Sequence, residues 1–276
     1  MPALPKQFDL LSIDNERKTM THLSVATYNL EFGGREQVEA IYAVLAHMQA
    51  DVVGLTEADD AQIVASLANC LGYHHVWAEG SGERHIATLS RYPILDWRIY
   101  NRPPLTQAVL QTTIELPDGR FTLYNVHFLP YLLLPFELHR WRAVGALIKL
   151  IGQQRPGPHL ITGDLNAIGP GDRVLQHLNP PRMRRTMRRW QLGLVFKLAI
   201  SRLLRAGYVD CFRHLHPHED GFTWYTRGHR TTRYDYILAD EAMTGRLRAC
   251  RVVDGIEAIP QASDHFPLLA EFEMSH

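Results

Sequence analysis

Several apolar runs in this sequence end in side chains that could hold a metal ion or transfer a proton. These polar positions are Asn29, Glu31, Glu57, Asn125, His127, Asp164, Asn166, Asp235, Asp264 and His265. Carboxylate and carboxamide oxygens, without thiolate partners, are the hard ligands that Mg²⁺ or Mn²⁺ accepts. Histidine titrates near neutral pH and can donate or remove a proton. A metal, an acid and a base together predict assisted hydrolysis of a phosphate ester.

The stretch ITGDLNA at residues 161–167 shows that a purely structural explanation competes with this one. Asp164 and Asn166 follow Gly163 at the end of an apolar run, and the same residue types terminate strands and cap the next element. Any single polar position is explained in that way. Their repetition at one strand end after another favours chemistry, because the strand ends of open α/β sheets gather functional side chains.

The hydrophobic pattern predicts the elements that must position these side chains. Short β-type runs alternate with turn signals, and QVEAIYAVLAHMQA places apolar residues at helical spacing between the first two strands. A second helix is predicted from about Glu137 to Ile151. Because strands outnumber helices, we expect two packed sheets with helices outside. We expect a polar N-terminal arm over residues 1–20 and a single catalytic domain over residues 21–276, since no linker divides the chain.

The composition is that of an ordinary folded domain. The 276 residues are 46% hydrophobic and 21% charged, and 29 basic residues balance 29 acidic ones. Zero net charge provides no long-range field that attracts polyanions, which disfavours a nonspecific duplex-DNA binder. Three widely spaced cysteines fit reduced thiols better than a disulfide framework. Without a secretory signal or an apolar run of about 20 residues, we expect a cytoplasmic protein, and no feature indicates an obligate protein partner.

The ordered motifs YNLE, LTE, LSRYPI, NVHF, GDLN, RYDYIL and SDHFPL resemble those of the endonuclease/exonuclease/phosphatase (deoxyribonuclease-I-like) superfamily. A single motif such as GDLN is weak, but the set extends in order from about residue 23 to residue 273. The resemblance implies an α/β (α+β) fold, a four-layered α/β/β/α sandwich with two mixed β-sheets face to face and helices outside. It also implies an active site at one end of the sandwich and a requirement for Mg²⁺ or Mn²⁺.

The resemblance assigns the metal and the base to particular residues. Glu57 would be the principal metal ligand. The residues expected beside the same metal are Asn29, Glu31 and Asp264. His265 would activate water, and Asp235 would orient it by accepting the proton-bearing ring nitrogen.

Three further residues complete the implied site. Asp164 and Asn166 would position the attacked phosphate and the nucleophile. His127 stands where deoxyribonuclease-like and sphingomyelinase-like members carry a histidine that assists the leaving group, whereas abasic-site endonucleases have a tyrosine in that region. His127 therefore argues against abasic-site repair.

The loops around such a site select the substrate. Residues 130–141, PYLLLPFELHRW, carry Tyr131 among leucines and either offer an apolar surface at the cleft or belong to the core. Trp224 and Arg233 approach the RYDYIL strand, and we expect them to line the phosphate end of the cleft. Arg233 is the residue there that we expect to help order the site.

An arginine-rich segment is the second feature that could select a substrate. Its members are Arg182, Arg184, Arg185, Arg188 and Arg189. A mostly apolar helical stretch, interrupted by Gly193, is predicted to follow from Trp190 to Leu204. A basic and then amphipathic pattern is typical of an interfacial membrane helix. The same cluster could grip nucleic-acid phosphates, or it could be the solvated face of a helix that packs on the sheet.

The sequence therefore leads to a metal-dependent phosphodiesterase as the first hypothesis. An endonuclease or exonuclease acting on DNA or RNA, a sphingomyelinase-like lipid phosphodiesterase and a phosphomonoesterase remain alternatives. Outside the enzymes, the chain could be a binding module that has kept the fold and lost catalysis. The presence of all the implied catalytic side chains argues against that last alternative.

Overall fold

Two six-stranded sheets form the centre of the described part of the chain. The computed structural model of the protein describes residues 22–80, 84–105, 107–117, 119–178, 181–226 and 228–274, so the predicted N-terminal arm lies outside them. The first sheet has the order β13-β14-β1-β2-β4-β3. Its strands are β1 Leu23–Asn29, β2 Val52–Thr56, β3 His74–Ala78, β4 Ile86–Ser90, β13 Leu247–Val252 and β14 Leu268–Phe272.

The second sheet has the order β5-β6-β7-β8-β12-β9. Its strands are β5 Ile94–Tyr100, β6 Val109–Leu116, β7 Gly119–His127, β8 His159–Asp164, β9 Val209–Asp210 and β12 Asp235–Ala239. Both sheets are mixed, because β1 runs parallel to β2 and β7 runs parallel to β8 while the other pairings are antiparallel. A separate hairpin consists of β10 Trp224–Thr226 and β11 His229–Thr232.

Helices cover the outer face of each sheet. The helices are α1 Val38–Met48, α2 Ala61–Leu71, α3 Leu134–Gln154, α4 Pro181–Gln191, α5 Leu198–Arg205, α6 Cys211–Leu215, α7 Glu241–Thr244 and α8 Ile259–Ala262. Apolar side chains of α1, α2 and α8 pack against the first sheet, and those of α3 and α5 pack against the second. A third apolar cluster fills the space between the sheets. The predicted four-layered sandwich is confirmed.

The layer between the sheets changes from apolar to polar along the strands. Alternate residues of a strand point to the same face, and on β7 the inward positions run Phe121, Leu123, Asn125 and His127. Each of these side chains is buried. The strands β1 and β8 follow the same pattern, so the polar ends of several strands meet at one end of the sandwich.

Asn125 joins the two sheets at the start of this polar zone. Its amide nitrogen donates to the backbone carbonyls of Leu55 and Ala87 at 2.8 and 2.9 Å, across the layer between the sheets. Gly54 lies opposite, where a Cβ atom would come within 2.9 Å of Asn125 Oδ1 and 2.8 Å of Thr162 Oγ1. The close approach of the sheets here therefore requires glycine at position 54.

The helical predictions need two corrections. The second helix begins earlier and ends later than expected, at Leu134 and Gln154. The helical stretch predicted from Trp190 to Leu204, with an interruption at Gly193, is divided more widely than expected, because α4 ends at Gln191 and α5 begins at Leu198. Leu192 and Gly193 have φ values of 52° and 76°, which a right-handed helix cannot contain. None of the helices in the described part of the chain combines the length and apolar character that crossing a membrane requires.

Candidate active site

The polar strand ends open into a cavity of about 590 Å³. Its charged and polar wall consists of Glu31, Glu57, Arg84, Asp164, Asn166, Arg182, Thr186, Asp264 and His265. Its apolar wall consists of Phe32, Pro130, Tyr131, Leu132, Leu133, Met187, Trp224 and Tyr234. The cavity therefore places hard oxygen donors and a histidine beside a large apolar surface.

Asn29 links the carboxylates of Glu57 and Asp164. Its Nδ2 atom lies 3.3 Å from Glu57 Oε1 and 3.1 Å from Asp164 Oδ2, while its Oδ1 atom accepts the backbone N–H of Glu31 at 2.9 Å. The sequence predicted Asn29 as a metal ligand. Its oxygen is instead bound to the backbone and its nitrogen, which cannot bind a cation, faces the two carboxylates. In this arrangement Asn29 orients both acids, and its role as a metal ligand stays a prediction.

Glu57 and its neighbours occupy unusual backbone conformations. The φ values are 47° at Glu31, 52° at Phe32, 49° at Glu57, 76° at Tyr131 and 47° at Asn166. Positive φ is uncommon for residues other than glycine and costs free energy, so such residues cluster where function requires them. All five contribute to the cavity wall. At Phe32 this conformation directs the backbone N–H to Glu57 Oε2 at 3.0 Å.

His265 and Asp235 form the closest acid–histidine contact of the site. Nδ1 of His265 lies 2.8 Å from Asp235 Oδ2. Nε2 of His265 lies 3.9 Å from Asp164 Oδ2 and 3.8 Å from Asp264 Oδ1. Burial disfavours the charged imidazole, but the negative charge of Asp235 and the hydrogen bond to it outweigh burial and raise the pKa of His265 to about 10.

His127 lies behind the carboxylates and not on the cavity wall. Its ring is completely buried, with Nε2 3.9 Å from Glu57 Oε1 and 3.8 Å from Asp164 Oδ2. Burial lowers the pKa of His127 to about 4, although the charge of Glu57 opposes this shift. His127 does not line the cavity in this arrangement, and its predicted contact with a leaving group stays a prediction. His127 is placed to support Glu57 and Asp164.

Asp264 and Glu31 close the opposite side of the cavity. The backbone N–H of Asp264 donates to Glu31 Oε2 at 3.0 Å, and the indole Nε1 of Trp224 donates to Asp264 Oδ2 at 2.9 Å. Ser263 fixes the turn, since its Oγ donates to the carbonyl of Asn29 at 2.7 Å. Both predicted acidic neighbours of the metal therefore lie in the same cleft as Glu57.

The charges of the cleft fit a divalent cation. Burial and the neighbouring charge of Asp235 raise the pKa of Asp164 to about 8. Burial and the charge of Asp264 raise the pKa of Glu31. Neighbouring carboxylates contribute to both shifts after burial, and carboxylate oxygens are the donors that Mg²⁺ and Mn²⁺ prefer.

Two groups of residues could hold such a cation. Donor atoms of Asp164, Asp235 and His265 all lie within 4.8 Å of one another. Asp235 is fully buried and already bonded to His265, so this trio is better suited to moving a proton. Glu57 keeps 18% of its side chain exposed to the cavity. Glu57, with Asp164 nearby, is therefore the better centre for a cation.

Arg233 does not lie in the cleft, which corrects its predicted role in binding substrate. Its guanidinium is fully buried and contacts Asp172 Oδ2 and Asp210 Oδ1, each at 2.9 Å. Tyr236 donates to Asp172 in the same cluster at 2.8 Å. A guanidinium with no exposed surface and two carboxylate partners cannot contact a ligand. Arg233 instead supports the strand that carries Asp235.

The sequence did not indicate Arg84 or Phe32 as residues of the cavity. Arg84 lies in the polar segment before β4, and Phe32, which is 78% exposed, directly follows the YNLE motif. No pattern in the sequence connects Arg84 with Glu57. The predicted substrate residues Tyr131 and Trp224 do lie on the cavity wall.

A model of the Endonuclease/Exonuclease/phosphatase family matches residues 26–265. The chain belongs to this family. Its members hydrolyse phosphoester bonds, and this family member is a hydrolase of that class.

Several relatives of this family member are similar over nearly its whole length. Exodeoxyribonuclease III of Haemophilus influenzae is 25% identical over 261 residues, which cover 87% of this chain and 97% of that protein. A 3′ phosphatase from Neisseria bound to a product DNA hairpin has a TM-score of 0.70 at 22% identity, covering 91% of this chain and 100% of the other. An AP endonuclease from Archaeoglobus fulgidus gives 0.72 at 19% identity, with the same coverage. These two structures show that the fold is shared.

Proposed function

We propose that this family member is a divalent-metal-dependent phosphodiesterase in which His265 removes a proton from the attacking water. The contact between His265 and Asp235 carries the proposal. With Nδ1 bound to Asp235, the second ring nitrogen is the basic one, and it faces the cleft between Asp164 and Asp264. A base must lie within reach of the proton that it abstracts, and His265 is the only histidine of the described cavity wall.

We assign the remaining residues of the cleft to binding either the cation or the phosphate. We assign the cation to Glu57, assisted by Asp164 and by the adjacent Glu31 and Asp264. A bound Mg²⁺ or Mn²⁺ would polarise a phosphoryl oxygen, stabilise charge in the transition state and lower the pKa of a nearby histidine. Asn29 holds Glu57 in place through its amide nitrogen.

The phosphate would meet the positively charged side chains of the cavity. Arg84 and Arg182 both line it, and a guanidinium can donate two hydrogen bonds to phosphate oxygens. Asn166 is fixed by donation of its Nδ2 to the carbonyl of Phe128 at 3.0 Å, and it lies beside Asp164 at the cavity wall. We propose that Asn166 and Asp164 position the nucleophile and the attacked phosphate for in-line displacement.

The apolar wall of the cavity favours a diester over a monoester. The apolar wall provides room for a second substituent on phosphorus. A phosphodiester is therefore the better substrate class.

A nuclease is a second candidate for the same site. The arginine-rich helix α4 borders the cavity through Arg182, and the rings of Tyr131 and Trp224 could stack on bases. The relatives that are named exodeoxyribonuclease III and 3′ phosphatase bound to DNA support this candidate. Similarity to an AP endonuclease is a similarity of fold, and the histidine at position 127 remains the prediction against cleavage at abasic sites.

One hydrolysis panel tests the proposal. It contains bis(p-nitrophenyl) phosphate, p-nitrophenyl phosphate, plasmid DNA, an abasic-site duplex and sphingomyelin vesicles, each with Mg²⁺, Mn²⁺ or EDTA. We expect metal-dependent diester cleavage that falls by about 10²–10⁴ in His265→Ala and persists in His74→Ala, a control at an exposed histidine of β3. Equal activity of parent and His265→Ala, or activity that EDTA does not affect, would contradict the mechanism.

A further inference from the structure

The outer face of α4 and the turn that follows it form an exposed surface next to the cleft. We call it the α4 surface, and it consists of Arg184, Arg185, Arg188, Arg189, Trp190, Leu192 and Leu194. Trp190 is 75% exposed, Leu192 86% and Leu194 58%. Large apolar side chains that are exposed together, next to a cluster of positive charges, are typical of an interaction site.

The helix that carries this surface is firmly attached to the fold. Met187 is buried in an apolar cluster with Leu132 and Tyr234. The side chain of Gln191 donates to the carbonyl of Leu132 at 2.7 Å and accepts the backbone N–H of Leu134 at 3.1 Å. The inner face of α4 therefore packs against the fold, and its outer face is exposed to solvent.

The charge of the α4 surface is entirely positive. The sequence of α4, PRMRRTMRRWQ, has five arginines and no acidic residue. Within the described part of the chain, none of these arginines forms an ion pair with a carboxylate. Fixed, unpaired cations at this density require an anionic partner or remain solvated.

Leu192 and Leu194 distinguish between two anionic partners, a nucleic acid and a lipid surface. Nucleic-acid phosphates would bind the arginines, and Trp190 could stack on a base, but neither uses Leu192 or Leu194. Leu192 is exposed and has a positive φ of 52°, which is unfavourable for a leucine. A lipid surface uses both kinds of side chain, because arginines bind anionic headgroups while tryptophan and leucine enter the boundary with the acyl chains.

The α4 surface adjoins the cavity. Arg182, Thr186 and Met187, on the same helix, line the cavity that contains Glu57 and His265. The rim of that cavity adds further exposed aromatic rings. A partner bound to the α4 surface therefore lies at the mouth of the cleft.

We propose that the α4 surface docks this protein on a membrane that carries anionic phospholipid, so that the cleft faces a phosphodiester at that surface. The proposal rests on the proposed function only for what the cleft does there. Docking itself depends on the arginines and the exposed apolar side chains. It can therefore be measured without any catalysis.

Sedimentation with vesicles tests the charge of the surface first. The full chain is mixed with phosphatidylcholine vesicles with or without phosphatidylglycerol. We expect binding to the anionic vesicles, and a loss of more than about tenfold in partitioning for Arg185→Glu/Arg189→Glu. The matched control, Arg120→Glu/Arg155→Glu, reverses two exposed arginines at the ends of β7 and α3 remote from the cleft and should bind like the parent.

A second pair of variants tests the apolar side chains. Trp190→Ser/Leu194→Ser should lower partitioning by about tenfold, whereas Leu95→Ser/Trp97→Ser, at exposed positions of the edge strand β5, should leave it unchanged. Absence of vesicle binding by the parent overturns the proposal. So does normal vesicle binding by the Trp190→Ser/Leu194→Ser variant, or binding of single-stranded or duplex DNA that depends on the arginines alone.

Hydrolysis of bis(p-nitrophenyl) phosphate separates this proposal from the proposed function. The four double variants should hydrolyse this soluble substrate at the parent rate, because none of the altered residues lines the cavity. Hydrolysis by a parent that does not bind vesicles would overturn docking alone. Vesicle binding by a parent that hydrolyses no substrate would support docking and overturn the proposed function.

Discussion

Nδ1 of His265 lies 2.8 Å from Oδ2 of Asp235, and this contact joins the two sheets of the sandwich. Asp235 begins β12 in the second sheet, whereas His265 lies shortly before β14 in the first. Trp224 extends the connection through a β-bridge to His265. The base of the proposed reaction is therefore oriented by a residue from the opposite layer of the fold.

Replacing Asp235 should change how His265 titrates. In Asp235→Asn without metal, we expect the pKa of His265 to fall from about 10 towards the ordinary value of 6.5, because the charge that holds its proton is lost. Proton NMR of the imidazole in EDTA measures this shift. Asp96→Asn, at an exposed position of β5, is the control. An unchanged titration in Asp235→Asn would contradict the assigned pair.

The same pair should make stability depend on pH. The folded state raises the pKa of His265 from 6.5 to about 10. Its contribution to the free energy of unfolding is therefore complete below about pH 6.5 and is lost as the pH rises through about 10. Urea unfolding of parent and His265→Gln in EDTA should show a difference that shrinks over this range, and a difference that grows would be inconsistent with the sign.

Replacing Glu57 should weaken binding of the cation. Glu57→Gln keeps the shape of the side chain but removes the charge, and we expect the Kd for Mn²⁺ to rise by about tenfold or more. Isothermal titration calorimetry gives the affinity independently of turnover. Glu115→Gln, on the exposed side of β6, should bind Mn²⁺ like the parent. Equal affinity of Glu57→Gln and parent would show that the cation is held elsewhere.

Arg233 should matter for stability. Arg233→Met leaves Asp210 buried without its cation, while Asp172 keeps Arg213, and we expect a loss of about 3–5 kcal/mol in the free energy of unfolding. Arg248→Met removes an exposed ion pair with Glu273 and should cost no more than about 1 kcal/mol. Urea denaturation compares the two. A normal free energy of unfolding with a raised KM in Arg233→Met would restore the substrate-binding role.

Gly163 should tolerate no side chain. Its φ is 136°, and a Cβ atom would lie 1.8 Å from the carbonyl oxygen of Val126 on the neighbouring strand. We therefore expect Gly163→Ala to lose roughly 3 kcal/mol or more in the free energy of unfolding. Gly157→Ala, where a Cβ meets no atom within 4 Å, should remain within about 0.5 kcal/mol of the parent. Similar melting curves for the two variants would contradict this account of the GDLN motif.

Most of the fold and many residues of the cleft could be predicted from local patterns. Alternation along a strand places residues two apart on one face, so Asn125 and His127 had to share the inward face of β7 with Leu123. The Asp, Asn and Glu residues at the ends of neighbouring strands then had to lie close together at one end of the sandwich. The motif order supplied the connectivity of the layers.

Local patterns could not decide which charged groups meet. Arg233 and Arg84 are both arginines beside a strand, but Arg233 is buried by carboxylates from the segments around Asp172 and Asp210, whereas Arg84 lines the cavity. Asn29 has a donor and an acceptor, and only the position of the Glu31 backbone turns its nitrogen towards Glu57.

The sequence by itself determined the layered fold, the inward faces of the strands and the types of side chain at the strand ends. Only the tertiary structure decided that His127 is buried behind the acids, that α4 borders the cleft and that its arginines stay exposed. The physical reason is the separation along the sequence between the residues that interact. The face of a strand is set by neighbours along the chain, whereas burial, ion pairing and the pKa of a group are set by segments that fold against it from far away in sequence.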